Sequence, residues 1–335
     1  MFKLSNTFIA LMLFISIVVI SICSTILIIN KNYMISTNTQ DVTFTITHGS
    51  SISSISDKLE EKGVIKSGTL FELAEMLNGD NRSLKAGIYT FKPNQTFSDI
   101  IRTLKSGSDL ETETTMVTIP EGFNTEQIAK RLEENKICTA EEFLQLVKSK
   151  PEKDKPYLKN VENYEGFLFP DTYEFFYYSS PNTVLNKFLS EFENKMSSIT
   201  DLNTDTEVYE KIKIASLIEK EAYHADEMSK ISSVIHNRLK DDMILQIDAS
   251  LLYAIGHKEK IYEKDLETET PYNLYKNKGL PPTPICNPSI NAIKAAYNPE
   301  NTKYLYYSLD TDTKYHKFAK TLSEHNSNIE KYLKN

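Results

Sequence analysis

Residues Phe8 to Ile29 run without a single charged side chain, bounded by Lys3 before them and Lys31 after them. Wound as an α-helix, this run reaches roughly 33 Å, enough to cross the hydrocarbon core of a bilayer. A secretory signal peptide is the competing reading. Its apolar region normally covers about 7–15 residues and ends at small residues such as Ala-x-Ala, which this run lacks. Cys23 invites a lipoprotein reading, yet bulky Ile22 stands directly before it, where a small residue is needed. The run therefore reads as an uncleaved anchor over residues 8–29. Lys3 and the α-amino group put residues 1–7 in the cytoplasm by the positive-inside tendency, weakly opposed by Lys31. With no second apolar span, the expected arrangement is single-pass, the remainder lying outside the cell.

About 300 residues follow, more than one small domain usually holds. The chain carries a net charge of −8 and no basic run. Nucleic-acid binding normally leaves a basic footprint, so that class is excluded. Cys138 and Cys286 are the cysteines beyond the anchor. So few thiols do not make a disulfide-stapled scaffold, although a bridge between these two stays open. No Cys/His spacing suggests zinc, and neither a metal nor a cofactor is expected.

A polar linker (30–41, with Ser36–Gln40 its clearest part) leads into a mixed module at 42–110. Val42-Thr-Phe-Thr-Ile46 alternates like a strand, and His48-Gly-Ser-Ser turns into an amphipathic helix over 51–61 carrying Ile52, Ile55 and Leu59. A helix from Leu70 to Leu77, a strand at Gly87–Phe91 and a helix at 97–104 complete it. The pattern then echoes itself. Thr118-Ile-Pro-Glu-Gly122, then Ile128, Leu132, Ile137 and Phe143, matches Thr45-Ile-Thr-His-Gly49, then Ile55, Leu59, Ile65 and Phe71. This second strand–helix unit with its connector occupies 111–154.

From 155 to 335 the reading is mainly helical. Helices are predicted at 182–198, 207–222, 228–239, 290–297 and 322–333, with a strand at 303–308. Between them, 269–289 carries Pro271, Pro281, Pro282, Pro284 and Pro288, which forbid regular structure. Irregular stretches this long in a compact domain usually line a site.

Glu221 is the first candidate for chemistry. At helical spacing it shares a face with Ile214, Leu217, Ile218 and Ala225. A carboxyl among apolar neighbours keeps its proton to higher pH, as a general acid must. Glu219, pointing roughly the other way around the helix, competes with it, and a solvated or salt-bridged surface Glu is the plain alternative.

Several motifs recur in order: Glu165-Gly-Phe-Leu-Phe-Pro-Asp-Thr-Tyr173, Ile214-Ala-Ser-Leu-Ile-Glu-Lys-Glu221, Val234-Ile-His-Asn-Arg-Leu239, Leu245-Gln-Ile-Asp248, Tyr272-Asn-Leu-Tyr275, Gly279-Leu-Pro-Pro-Thr-Pro-Ile285 and His316-Lys-Phe318. Together they resemble the YceG-like family of endolytic murein transglycosylases over nearly the whole chain. The resemblance implies an α+β protein made of a membrane anchor, a LysM-like βααβ-type module and a catalytic domain over 155–335. It implies internal cleavage of peptidoglycan glycan strands near the membrane, with cell-wall synthases as partners. It also puts the catalytic acid on the second Glu of Glu-Lys-Glu, which is Glu221. The chain departs from the pattern at Ala249 and Ser250, where some members have Pro and Thr, and at Ser289, where Gly is common.

The implied reaction is attack by the muramyl C6 hydroxyl on its own anomeric carbon, leaving a 1,6-anhydro end. One carboxyl suffices because the nucleophile is already in the substrate. Asp248 keeps hydrolysis open as an alternative. It also reads, with Gln246, as a holder of an acetamido group, or as a cap on a helix at 249–255. Tyr272, Asn273 and Tyr275 suit contacts to sugar, although tyrosine in a chain with 19 of them is equally ordinary packing. His316 reads as orienting a substrate oxygen, moving a proton, or simply structural. Glu165 reads as a strand-end residue bonding backbone. A non-catalytic peptidoglycan-binding scaffold is the remaining alternative.

Overall fold

The computed structural model describes residues 14–18, 20–21, 36–77, 84–107, 114–151, 155–256, 258 and 260–333. The expected anchor lies largely outside them. Residues 14–18 and 20–21 are helical and exposed, and no helix among the described residues is long and apolar enough to cross a membrane. The fold is α+β: helices accompanied, among the described residues, by three two-stranded sheets. Two compact units divide the chain, the first essentially residues up to 114 and the second Thr115–Phe175 with Ser180–Asn335.

In the first unit, β1 (Val42–Ile46) is followed by α1 (Ile52–Glu61), α2 (Gly68–Leu77), β2 (Gly87–Phe91) and α3 (Phe97–Ser106). The strands pair antiparallel with Val42 opposite Phe91. Alternation sends Phe44 and Ile46 into the core, while Thr43 and Thr90 meet on the other face, hydroxyl to hydroxyl at 2.9 Å. Ser51 caps α1, and Thr96 with Asp99 forms a capping box on α3. The second helix begins at Gly68, two residues before its expected start at Leu70, because Glu60 accepts the Gly68 amide at 2.7 Å. Ile55, Leu59, Phe71, Ile100 and Leu104 then close this unit's core.

The second unit opens with β3 (Thr114–Thr118), α4 (Thr125–Glu134) and α5 (Ala140–Val147). This is the echo seen in the sequence, realised in three dimensions. Gly49 and Gly122 both take positive φ, 77° and 74°, at the turn after the strand. Ile128, Leu132, Ile137 and Phe143 are buried like their counterparts Ile55, Leu59, Ile65 and Phe71. Set apart in the sequence reading as 111–154, this segment shares one core with buried residues of the stretch from Tyr157 to Ala296. β4 (Thr172–Phe176), unforeseen in the aromatic stretch after the Pro-Asp turn, pairs with β3.

The remaining elements are α6 (Pro181–Met196), α7 (Val208–Glu221), α8 (Met228–Lys240), α9 (Asp248–Ile255), α10 (Glu263–Leu266), α11 (Ile290–Tyr297), β5 (Tyr306–Leu309), β6 (His316–Ala319) and α12 (Leu322–Tyr332). The α7 helix buries Val208, Ile212, Ile214, Ala215, Leu217 and Ile218, so nearly every side of it is covered. Ala292, Ala295 and Ala296 on α11 are small enough for close approach to α7, and α8 packs against both. The proline-rich stretch stays irregular, as expected.

Three expectations need correction. The helix carrying Glu221 stops at that residue: the Ala222 amide closes on the Ile218 carbonyl and Ala222 turns extended. Ala225 lies in a separate 3-10 turn, Ala225–Glu227, and does not continue the Glu221 face. The strand expected at 303–308 covers Tyr306–Leu309, since the Thr302 and Tyr304 carbonyls are taken by the Asn237 amide. Its partner β6 was not foreseen.

Phe188 is fully buried on α6, with the Tyr173 ring 4.7 Å away edge-on and Phe175 at 6.0 Å. Phe188→Ala is expected to destabilise the second unit by roughly 3–5 kcal/mol, read as a lower urea midpoint.

Candidate active site

Glu221 is the last residue of α7, carried there by a helix whose own apolar faces are already buried. The residue remains partly exposed, so a ligand reaches it, yet protein crowds its carboxyl. That burial pushes its pKa up to about 7; the Asp248 charge adds to the rise and a hydrogen bond from Tyr307 opposes it. Tyr307, on β5, donates to Oε2 at 2.9 Å. The neighbouring strand β6 places the His316 ring edge-on to Tyr307, centroids 5.2 Å apart. His316 is itself gripped by Glu227, whose carboxylate takes its backbone amide at 2.8 Å and meets Nδ1 at 3.0 Å.

The Asp248 side of the site has the same pattern. Asp248 is the first residue of α9, not the cap before it; Ile247 holds that position and makes no side-chain cap bond. Its exposed carboxylate accepts the Tyr275 hydroxyl. Gln246 is exposed with a positive φ of 53°, and its backbone N–H donates to the Leu274 carbonyl at 3.0 Å. Arg238, buried at the end of α8, reaches both sides. Its Nε donates to the Leu305 carbonyl at 2.6 Å, two residues before Tyr307, and its NH1 to the Leu245 carbonyl at 2.8 Å, three before Asp248. Burial lowers its pKa, while its charge favours the anionic forms of Tyr307 and Tyr275.

The structure thus brings Glu221, Asp248, Tyr275 and His316 of the expected set into one region, with Gln246 on its rim. Others serve the scaffold. Asn273 is fully buried, its amide donating to the Leu266 and Thr268 carbonyls at 2.8 and 2.9 Å. Glu219 accepts the Ser289 amide at 3.0 Å and hydroxyl at 2.6 Å, fastening α7 to the cap of α11. Tyr272 spends its hydroxyl on Thr283 at 2.8 Å and its ring on Tyr253.

Glu165 proves more central than its sequence suggested. Only 1% exposed, it accepts from the Thr125 amide (3.1 Å) and hydroxyl (3.0 Å), Tyr253 (3.1 Å) and Asn287 (3.0 Å). Burial raises its pKa to about 7 against those donors.

Tyr307, Arg238 and Glu227 were given no role in advance. Arg238 had a readable signal, because Ile231, Val234 and Ile235 on its helical face are all apolar and buried; a charge there must find partners. Tyr307 had none. Cys138 and Cys286 are both free and buried, and burial pushes the Cys138 thiol up to about 12. Among the described residues no group of three His, Cys, Asp or Glu side chains is placed to hold a metal ion.

The sequence profile of the YceG-like family matches residues 44–331. A protein of Bacillus subtilis strain 168 named endolytic murein transglycosylase is 34% identical over 312 residues, 87% of this chain and 85% of that relative. One of the same name from Streptococcus pneumoniae D39 is 30% identical over 325 residues, covering 87% of this chain but 58% of the longer relative. The crystal structure of a yceG-like protein from Listeria monocytogenes, 34% identical, aligns with a TM-score of 0.55 over 87% of this chain and 99% of that one.

Glu165 also sets the sign of a pH response. Its folded pKa, about 7, lies above the ordinary glutamate value of 4.5. The folded state therefore holds a proton that the unfolded state has released, and this part of the stability is lost as pH rises from 4.5 to 7. Glu165→Gln removes that dependence. In urea titrations the stability difference between wild type and variant is expected to move in the variant's favour across that window.

Proposed function

This chain belongs to the YceG-like family, and from that premise we propose that it is an endolytic murein transglycosylase. It cuts peptidoglycan strands internally, between N-acetylmuramic acid and N-acetylglucosamine. One observation carries the reading: a carboxyl that solvent can reach, at the end of a buried helix, with its pKa raised by burial to about 7. Such a group holds a proton near neutral pH and still gives it up readily.

Protonated Glu221 delivers its proton to the bridging oxygen as the bond from the anomeric carbon to that oxygen breaks. The muramyl C6 hydroxyl closes on the same carbon, and its proton returns to the ionised Glu221. The carboxyl ends as it began, no water is consumed, and the new end is a 1,6-anhydro ring. Holding both reacting atoms in one sugar supplies the effective molarity that hydrolases obtain with a second carboxylate and a water. Asp248, with Tyr275 bound to it, stabilises positive charge developing at the anomeric carbon. The exposure of Asp248 favours one competing reading, in which it activates water and leaves a reducing end.

Residues 8–29 anchor the chain in the cell membrane with residues 1–7 cytoplasmic. The LysM-like module at 42–110 holds glycan outside the cell, beside cell-wall synthases, where the enzyme trims or terminates new strands.

Mass spectrometry of peptidoglycan glycans treated with the detergent-solubilised full chain tests this. Internal fragments with anhydro ends are expected, lost by at least about a hundredfold in Glu221→Gln. Fragments heavier by one water would replace the lytic reading with hydrolysis. Because Glu221 must be protonated to act, the wild-type rate is expected to be full below pH 7 and to fall above it.

A further inference from the structure

Glu221 is asked to give a proton and to take one back, and nothing in the reaction itself says which of its two oxygens does so. We propose that Tyr307 is a positioning residue that occupies Oε2, so that Oε1 both delivers the proton and recovers it. The proposal rests on the lytic reading above.

Tyr307 donates to Oε2 at 2.9 Å. An oxygen already accepting a hydrogen bond is the poorer place for the carboxyl proton, so the acid hydrogen sits on Oε1. The phenol is held without help from Glu221. Strand pairing sets Tyr307 opposite Phe318, Arg238 pins the carbonyl of Leu305 just before the strand, and the His316 ring stands edge-on to it. His316 in turn is fixed at two points by Glu227, a residue 4% exposed. Tyr307 therefore offers its hydroxyl from a rigid mount. Burial raises the phenol's own pKa well above its ordinary value, and it remains a donor whether Glu221 is neutral or ionised.

The bond does more than orient. A donor strengthens its bond when the acceptor becomes anionic, so Tyr307 stabilises Glu221 in the interval between losing the proton and regaining it. The charged and titratable groups facing this pair are Asp248 on α9, Tyr275 on the proline-rich loop, Arg238 on α8, and His316 with Glu227 on β6 and the 3-10 turn. Of these, Asp248 opposes ionisation of Glu221, as burial does. Tyr307 is the direct hydrogen-bond donor that works the other way.

The test compares the full chain in detergent with Tyr307→Phe and with 2,3-difluorotyrosine placed at 307, measuring anhydro-end formation against pH. Phe keeps the ring and removes the donor. The expected result is a kcat lower by about ten- to a hundredfold, with KM unchanged and the alkaline limb displaced to higher pH. Difluorotyrosine is a stronger donor and is expected to move that limb to lower pH. A purely structural Tyr307 would lower Tm and leave the limb in place for both. An unmoved limb in both variants, or a limb moved to lower pH by Phe and to higher pH by difluorotyrosine, overturns the proposal. Glu221→Gln runs beside them: if it still forms anhydro ends the lytic assignment to Glu221 has failed, whereas its inactivity beside an unmoved limb sinks the Tyr307 role alone.

Discussion

Burying a carboxyl is costly unless donors surround it, and the second unit is arranged around one such carboxyl, Glu165. Its donors come from stretches far apart in the chain: Thr125 at the start of α4, Tyr253 on α9 and Asn287 in the proline-rich loop. Asn287 passes the connection on, accepting the Leu168 amide at 2.8 Å and donating to the Phe123 carbonyl at 3.0 Å. Each partner leads to a part of the site. Tyr253 sits on the helix whose first residue is Asp248, and Asn287 precedes Ser289, which Glu219 holds against α7. A loop with no regular hydrogen-bond ladder needs such side-chain bonds to have a defined shape at all.

Arg238 complements this arrangement with the opposite charge. Its guanidinium finds main-chain carbonyls instead of a carboxylate, and those carbonyls belong to the two segments that lead to Tyr307 and Asp248. The planar fork of arginine makes this possible, since one rigid group reaches several acceptors at fixed angles. Glu165 and Arg238 thus do separate work. The carboxyl locks loop to helix beneath the site, and the cation holds the two arms beside it.

Much of this was legible in the sequence wherever a period was long enough to read. Ile128, Leu132 and Phe143 repeat Ile55, Leu59 and Phe71 over whole helices, and Glu221 stood out against Ile214, Leu217 and Ile218. The limits fell where local signals stop. Nothing in Lys220-Glu221-Ala222 announces a helix end, because Ala222 is a good helix former, yet Ala222 turns extended. The strands β5 and β6 span four residues each, too short for alternation to separate them from loop. Tyr307 therefore looked like any other tyrosine, and Asn273, chosen for its chemistry, proved to be a loop staple. Side chains that bind backbone and side chains that bind sugar share the same donor groups, and sequence alone does not separate them.

The stopping point of α7 has an electrostatic consequence of its own. A helix carries partial negative charge at its C-terminal end, where the last carbonyls lack partners. Glu221, as the final residue of α7, stands at that negative pole, which disfavours an anion and adds about 0.3–1 kcal/mol toward the protonated form. Asp248 stands in the first turn of α9, at the positive pole of its helix, where an anion is welcome. Two carboxylates of one site are thus mounted on opposite poles, and the direction in which α7 runs works with burial to keep the proton on Glu221.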